Sequence, residues 1–406
     1  MTKRIQGTRL ASPFPTENTG RIALSSAVFT ACLSLLLFGP SPVAGATRRV
    51  PSEYATIDDG IVAAEVGDTV LVAPGVYSGP GNRSLSFYGK DIVLVSENGA
   101  AETVIDVQAN SNQPMRGLLI DGGESPAAVV DGFTIINGFM STQPDFAPPQ
   151  DLHDLSGGGF KVNLESSPTI RNMIVRNCHS EFTGGGVSIE LQSAPTITGV
   201  LIEGCTAGIQ GGGISVESGS SPVIEACVFT GNRSRTGGGM FTEIGSFREP
   251  ALHVVDCTFA SNFAQGSGGG IFCSVASKSQ FERVTVWGNC TNGTGPEIAI
   301  EFSGNATFAC SIIDTSGVHS EGVLSYEGTN LLGIDPGFCA PDTCTSAPSQ
   351  AGDYGVGDES PSIARNSPCG ARIGGIGRGA CGSTNPIVES SWGKMKGILG
   401  KPRSAK

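Results

Sequence analysis

Triplets of glycine recur along the middle of this chain at a nearly constant interval. They begin at positions 157, 184, 211, 237 and 268, so the successive spacings are 27, 27, 26 and 31 residues. Pro168, Pro195 and Pro222 recur in step with the first three triplets. A repeat of this length is typical of a solenoid, in which each coil buries its apolar side only by stacking on its neighbours.

The residues between the triplets alternate between apolar and polar with a period of two, as β-strands do. Val187 and Ile189 show this alternation, and Ile214 and Val216 repeat it one unit later. No helix-length pattern fits between the turns. The sequence therefore predicts coils of two or three short strands that stack in parallel, and the glycines suit tight corners where stacking leaves no room for side chains.

Two longer motifs indicate a family. The repeats "GGGISV…CVFTGN" and "GGGMFT…CTFASN" resemble those of right-handed parallel β-helix proteins of the pectate-lyase-like superfamily, and in particular the repeats of chlamydial polymorphic outer-membrane proteins. Their Phe-x-x-Asn motif occurs at Phe229–Asn232 and at Phe259–Asn262. The segment from Val50 to Gly79 is similar to the entry segment of the same superfamily, which implies a helix around residues 55–65 and a first strand at residues 69–73.

The resemblance implies an all-β fold, a right-handed parallel β-helix with a short N-terminal capping helix and a Cys/Gly-rich C-terminal closing segment. We assign residues 1–46 to a signal peptide, 47–335 to the β-helix, 336–385 to the closing segment and 386–406 to a tail. The first segment has basic residues, a short apolar run and an Ala-Gly-Ala site at its end, which favours cleavage over a membrane anchor. The tail has apolar residues at helical spacing, which fits either a helix on the end of the solenoid or a basic attachment segment.

Charge and export limit the classes of partner. Removing residues 1–46 takes away four basic residues and one acidic residue, which leaves 21 basic and 36 acidic side chains. A nucleic-acid partner is not expected, because binding phosphates requires a basic surface. No other segment is long and apolar enough for a membrane span. We expect a secreted, periplasmic or cell-surface protein whose partner is a polysaccharide or another cell-surface glycan.

The cysteines outside the signal segment number eleven, and this density in an exported protein favours disulfides. Equivalent slots in adjacent coils predict a Cys178–Cys205 bond and, with inert core thiols as the alternative, a Cys227–Cys257 bond. Local pairing predicts Cys339–Cys344 and Cys369–Cys381. The asparagines that occupy the slot of Cys178 in later coils, at positions 232, 262 and 289, are predicted to form a hydrogen-bonded ladder.

A column of three carboxylates is the first candidate site. If Val187 and Ile189 point inward, then Glu190 lies outside, and Glu217 and Glu243 follow in the next two coils, about 5 Å apart. Like charges in adjacent strands need compensation. Calcium bound by Glu190 and Glu217 is one interpretation, a shared proton at raised pKa in a catalytic pair is another, and side chains splayed into water are the third. No other cofactor is expected.

The loop from residue 141 to 157 is the second candidate site, because it interrupts the repeat and long insertions often carry function. It offers ligand-binding candidates at Asp145, Asp151, His153 and Asp154, although its composition also fits an inert solvated loop. Arg171 and Arg176 occupy outward positions of the next coil, and their alternative partners are an acidic polysaccharide or the neighbouring Glu203. An apolar stripe of Ile174, Leu201 and Val228 points outward, and we expect the loop, the closing segment or a partner to cover it.

The catalytic motifs of pectate lyases, polygalacturonases and pectin methylesterases, which the resemblance suggests as comparisons, are all missing from the sequence. The sequence therefore favours a structural, adhesive or ligand-binding rod without chemistry of its own. An extracellular polysaccharide lyase or glycoside hydrolase acting on an acidic polysaccharide is the alternative, with Glu190, Glu217 and Glu243 as its catalytic candidates.

Overall fold

The computed structural model describes residues 45–142, 155–243 and 252–375. Over the described part of residues 47–332 the chain winds into successive coils, and each strand there pairs in parallel with the equivalent strands of neighbouring coils. Two further strands, Phe338–Ala340 and Asp353–Val356, form a separate antiparallel pair. Four parallel sheets, labelled A to D, run along the coils. Each complete coil contributes one strand to each sheet, and the chain visits the sheets in the order C, A, B and D. This arrangement confirms the predicted parallel β-helix.

The strands of the described residues are grouped by sheet as follows. Sheet A has Thr47–Val50, Thr69–Val72, Val93–Ser96, Val129–Asp131, Thr169–Arg171, Thr196–Thr198, Val223–Glu225, Leu252–Val255, Lys278–Glu282, Asn305–Ala309 and Val323–Glu327. Sheet B has Gly75–Ser78, Thr103–Asp106, Thr134–Ile136, Ile174–Arg176, Leu201–Glu203, Val228–Thr230, Thr258–Ala260, Thr285–Trp287, Ile312–Ile313 and Leu331–Leu332. Sheet C has Leu85–Ser86, Leu118–Ile120, Phe160–Val162, Val187–Ile189, Ile214–Glu217, Met240–Glu243, Ile271–Cys273, Ile298–Ile300 and Val318–Ser320. Sheet D has Phe139–Met140, His179–Ser180, Thr206–Ala207, Arg233–Ser234, Phe263–Ala264 and Cys290–Thr291.

The N-terminal end is covered by a short helix, as the resemblance implies. The helix spans Ile57–Ala63, and Thr56 caps it by accepting from the backbone N–H of Asp59, whose carboxylate accepts from Thr56 in return. Ile57 and Ile61 bury their side chains against the first coil. One strand, Thr47–Val50, precedes the predicted first strand and pairs with Thr69–Val72.

The inward apolar residues of sheets A, B and C form one continuous core. Phe229 stacks on Phe259 with ring centroids 4.6 Å apart, and Phe281 stacks on Phe308 at the same spacing. The predicted asparagine ladder is present inside this core. Its side-chain amides donate from one coil to the next, and Glu297 accepts the last of these hydrogen bonds; the ladder consists of Asn232, Asn262 and Asn289.

The glycine triplets form the turn from sheet D to sheet C, and this turn folds over the outer face of sheet C. Gly184 has a φ of 61°, and a Cβ at this position would lie 2.9 Å from the Cβ of Ser188. A Cβ at Gly185 would lie 2.3 Å from the carbonyl oxygen of Thr206. Outward residues of sheet C, such as Ser188, are therefore buried under the turns that precede them.

The described part of the closing segment packs against the side of the coils. This part, residues 336–375, which we call the strap, runs back along the outer face of sheet B. Tyr354 packs there on Ile174, Leu201 and Val228, with Phe338 against its ring. The outward apolar stripe is therefore covered by the strap, one of the covers that the sequence predicts.

The disulfides attach the strap to the coils, and the predicted pairings are wrong. Cys344 pairs with Cys290 and not with Cys339, and Cys369 pairs with Cys310 and not with Cys381. Cys339 is disulfide-bonded, and Cys381 lies outside the described residues. The thiols of two predicted pairs are free and stack in the core, Cys178 with Cys205 and Cys227 with Cys257. Cys273 is also free. For Cys227 and Cys257 the alternative of core thiols therefore holds in this structure, whereas the predicted Cys178–Cys205 bond is wrong.

No helix among the described residues is long and apolar enough to cross a membrane. The signal segment and the tail lie outside the described residues. The proposed boundaries at residues 46, 335 and 385 stay predictions.

Candidate functional site

The three carboxylates of the predicted column do lie in adjacent strands of sheet C. Glu217 is directly in register with Glu243, and Glu190 follows the strand of the preceding coil. Their surroundings differ strongly, because Glu190 is fully buried, Glu217 is partly buried and Glu243 is exposed. The interpretation that all three splay into water is therefore wrong for Glu190.

Glu190 is compensated by a lysine. The Nζ atom of Lys161 lies 3.2 Å from Oε2 of Glu190, and both side chains are buried, with 1 % and 0 % exposure. The hydroxyl of Ser188 donates to the other carboxylate oxygen. Because the charge of Glu190 is matched inside the protein, calcium is not needed to compensate it.

Lys161 was not recognised from the sequence. It occupies an outward position in the middle of the strand Phe160–Val162, where alternation predicts a solvated side chain. The position is buried because the glycine turn folds over it: a Cβ at Gly157 would lie 3.0 Å from the Cβ of Lys161. The only sequence signal is a basic residue one coil before the acidic column.

Glu217 is a carboxyl group of raised pKa. Burial raises its pKa, and the nearby charges of Glu190 and Glu243 raise it further, while hydrogen bonds from Ser215 and Thr183 act in the opposite direction. A carboxyl group of raised pKa beside an exposed carboxylate is one arrangement that supports acid and base chemistry. Among the described residues, no group of three or more His, Cys, Asp or Glu side chains is placed to hold a metal ion.

A groove lies beside the Glu243 end of this column, over the outer face of sheet C. We call it the sheet C groove; its volume is about 410 Å³. Its floor is formed by Phe241 and Phe272, which stack with centroids 5.6 Å apart and are themselves nearly fully buried. Its walls come from the turns on the two sides of the sheet and consist of Ile209, Gln210, Arg235, Thr236, Gly266, Ser267, Ser274, Glu301 and Phe302.

Phe302 is the exposed aromatic residue of this groove. Its side chain is 67 % exposed, and its φ of 58° lies in the left-handed region, which bulky residues rarely adopt. The turn from sheet C to sheet A requires this conformation, because Leu164 has a φ of 53° in an equivalent turn. The fold thus holds an aromatic ring in solvent at the rim of a polar-walled groove.

Comparison with known proteins identifies the repeated part of the chain. The family described as "Right handed beta helix region" matches residues 103–295. These residues form a right-handed parallel β-helix. The assignment agrees with the pectate-lyase-like resemblance of the repeats, whereas their similarity to chlamydial outer-membrane proteins stays an expectation from the sequence. No curated protein matches the chain.

Two solved structures are similar to the β-helix at low sequence identity. The A-module of a mannuronan C-5 epimerase from Azotobacter vinelandii is 16 % identical, with 69 % of this chain and 96 % of that chain covered and a TM-score of 0.22. A PL6-family polysaccharide lyase from Pseudopedobacter saltans is 15 % identical, with 78 % and 98 % covered and a TM-score of 0.23. A likeness at these TM-scores carries no argument about activity.

The remaining site predictions for the β-helix divide into two groups. Asp145, Asp151, His153 and Asp154 lie outside the described residues, so the loop candidate stays a prediction. Both arginines of the following coil pair internally: Arg176 with Glu203 at 2.8 Å, the second of the predicted alternatives, and Arg171 with Asp131 at 2.8 Å.

Proposed function

We propose that this protein is an exported β-helix that binds a polysaccharide in the sheet C groove and acts as a ligand-binding or adhesive rod. The observation that carries the proposal is the exposed ring of Phe302 at the rim of a groove with polar walls. Ligand sites in proteins are commonly concave, with apolar contact surface and a few polar groups that fix orientation. An aromatic ring supplies such contact surface for the apolar face of a sugar.

The charges near the groove favour a neutral polysaccharide. Glu301 forms part of the wall, and the exposed carboxylate of Glu243 belongs to the same side of sheet C, whereas Arg235 is the basic residue that lines the groove. Glu301 and Arg235 balance each other in the lining, and Glu243 adds a negative charge on the same face of sheet C, so the groove offers no net positive charge to a polyanion. The Cys290–Cys344 and Cys310–Cys369 disulfides support a location outside the reducing cytoplasm.

The test is binding of soluble neutral polysaccharides, such as xylan, glucomannan and β-glucan, to the full chain by affinity electrophoresis and calorimetry. Phe302→Ala is expected to weaken binding at least tenfold. Leu164→Ala is the matched control, because Leu164 is also exposed and also has a positive φ, in a different coil. Equal binding by the Phe302 variant and the native protein would contradict the proposal, as would a lack of binding to every polysaccharide.

A second candidate function is a glycoside hydrolase or polysaccharide lyase, and Glu217 is the residue that favours it. Its pKa is raised by burial, so it suits a general acid, and the exposed Glu243 lies in register beside it as a second carboxyl group. Incubation with neutral and acidic polysaccharides, followed by assays for reducing ends and for unsaturated products, tests this function. Activity that Glu217→Gln abolishes, with polysaccharide binding retained, would replace the non-catalytic proposal.

A further inference from the structure

A second groove lies on the other side of sheet D, at the corner between sheets B and D. We call it the corner groove; its volume is about 480 Å³. It shares no residue with the sheet C groove. Its lining consists of Gln108, Ala109, Asn137, Gly138, Phe139, Asn177 and His179.

The backbone at this corner is left-handed in coil after coil. The φ values are 59° at Asn137, 53° at Asn177, 61° at Gly204 and 58° at Gly231. Asparagine and glycine are the residues that adopt this conformation most readily. The requirement for a positive φ therefore explains the residue types but not why two coils have amide side chains and the next two have none.

The strap explains the change from asparagine to glycine. A Cβ at Gly204 would lie 2.9 Å from Cγ of Gln350, and a Cβ at Gly231 would lie 2.1 Å from the carbonyl oxygen of Ser349. The strap thus occupies the corner where the side chains are missing. At Asn137 and Asn177 the corner has side chains in place of the strap, and the corner groove lies there.

The side chains of the corner form a hydrogen-bonded row with a fixed direction. Nδ2 of Asn137 donates to Oδ1 of Asp106 at 2.8 Å, and Nδ2 of Asn177 donates to Oδ1 of Asn137 at 2.6 Å. An ionised carboxylate only accepts hydrogen bonds, so Asp106 fixes the orientation of both amides. The row ends at the exposed Asn177, since the next coil has Gly204 at this position. Asn177 therefore directs a carbonyl oxygen and its second amide hydrogen away from the row.

The opposite wall of the corner groove is aromatic and uncharged. Phe139 stacks on His179 with centroids 4.4 Å apart, and Nδ1 of His179 lies 2.7 Å from the hydroxyl of Thr206. Burial lowers the pKa of His179, so the imidazole is neutral at pH 7. The groove contains no basic side chain among its described lining residues.

We propose that the corner groove is a binding site for a neutral saccharide. One hydroxyl of the sugar donates to Oδ1 of Asn177, and an adjacent hydroxyl accepts from its Nδ2, which is the pattern that a vicinal diol offers to an amide. The apolar face of the sugar packs on the wall formed by Phe139 and His179. The site is separate from the sheet C groove, so it does not depend on the function proposed for that groove.

The test uses the full chain and a set of neutral probes: xylo-, manno-, cello- and laminari-oligosaccharides, measured by saturation-transfer NMR and calorimetry. Asn177→Gly removes the amide and keeps a residue suited to positive φ. Asn172→Gly is the matched control, because Asn172 has a φ of 54° and donates to Asp131 at a different corner. We expect at least one probe to bind, with about tenfold lower affinity in the Asn177 variant, as for the loss of one or two hydrogen bonds.

Phe139→Ala is a second variant and should weaken binding of the same probe, whereas Leu164→Ala, outside both grooves, should leave it unchanged. Loss of binding in the Phe302 variant alone would place the saccharide in the sheet C groove and overturn the corner-groove proposal. The corner-groove proposal is also overturned if none of the probes binds, or if the Asn177 and Asn172 variants bind equally. Polysaccharide binding that persists in the Asn177 and Phe139 variants would support the sheet C groove independently.

Discussion

The backbone N–H of Ser349 donates to the carbonyl oxygen of Gly231 at 2.9 Å, and this hydrogen bond holds the strap on the corner between sheets B and D. Arg233 adds a hydrogen bond from Nη1 to the carbonyl oxygen of Ala347. Ser261 donates its hydroxyl to the carbonyl oxygen of Asp342. The strap is therefore attached to two successive coils by contacts to its backbone.

Gly231→Ala is expected to detach this part of the strap. The new Cβ would lie 2.1 Å from the carbonyl oxygen of Ser349, and a φ of 58° is unfavourable for alanine. We expect a loss of unfolding free energy above the roughly 1–2 kcal/mol that a left-handed alanine alone costs, together with faster amide exchange at Ser349. Urea unfolding and hydrogen exchange measure both quantities.

Gly288→Ala is the matched control for that substitution. Gly288 has a φ of 72° after its own sheet B strand, and no atom lies within 4 Å of the position of its Cβ. Gly288→Ala should lose only the unfolding free energy that an alanine in the left-handed conformation costs. Equal losses in the two variants would mean that the strap does not rest on Gly231.

The buried pair of Lys161 and Glu190 leads to a prediction about stability. Lys161→Met leaves an uncompensated carboxylate in the core-like space under the turn, so we expect a loss of about 3–5 kcal/mol of unfolding free energy. The double variant Lys161→Met/Glu190→Gln removes both charges and should recover most of that loss. Chemical denaturation measures the three free energies.

Lys278→Met, at an exposed position of sheet A, serves as the control and should change stability by no more than about 0.5 kcal/mol. A double variant as unstable as Lys161→Met would show that the lysine contributes through packing of its aliphatic chain. In that case the ion pair would not be what places Glu190 in the interior.

The position of the strap also predicts which disulfides peptide mapping should detect. Peptide mapping without reduction is expected to recover the Cys290–Cys344 and Cys310–Cys369 links. Among the cysteines that the structure describes, alkylation of the unfolded, unreduced protein should label Cys178, Cys205, Cys227, Cys257 and Cys273. Burial raises the pKa of Cys205 and of Cys257, which suppresses the thiolate that exchange requires. A Cys178–Cys205 peptide in the map would contradict the free thiols.

The parts of the structure that repeat were predictable from the sequence, because stacked coils keep one register. The positions of Glu217 and Glu243 in adjacent strands follow directly from the spacing of the glycine triplets. The burial of Lys161 did not follow from alternation, since it depends on how the preceding turn folds across the sheet. The Cys290–Cys344 link was not predictable either, because the strap returns over coils far away in the sequence. Asn177 and Gly204 look alike in sequence terms, as both are residues of left-handed turns, and only the path of the strap distinguishes them.

The end of the asparagine ladder predicts a pH dependence of stability. Glu297 accepts from the backbone N–H of Asn289 at 3.0 Å and from its Nδ2 at 2.6 Å, and its side chain is nearly fully buried. Burial raises its pKa to about 8, although the two hydrogen bonds from Asn289 act to lower it. The native state therefore keeps a proton that the unfolded chain releases near pH 4.5, the ordinary range of a glutamic acid.

Between about pH 4.5 and pH 8 the native state binds more protons at Glu297 than the unfolded state does, so this residue makes stability fall as the pH rises. Glu297→Gln should flatten that slope, which urea unfolding at several pH values measures. The side chain of Gln has one acceptor oxygen, whereas Asn289 offers two donors, its backbone N–H and its Nδ2. The variant should therefore also lose stability at pH 5, because the protonated native carboxyl can direct its proton away from these donors. Glu327→Gln, at an exposed position of the last sheet A strand, should keep the native slope. A native slope retained in the Glu297 variant would mean that Glu297 titrates normally in the folded protein.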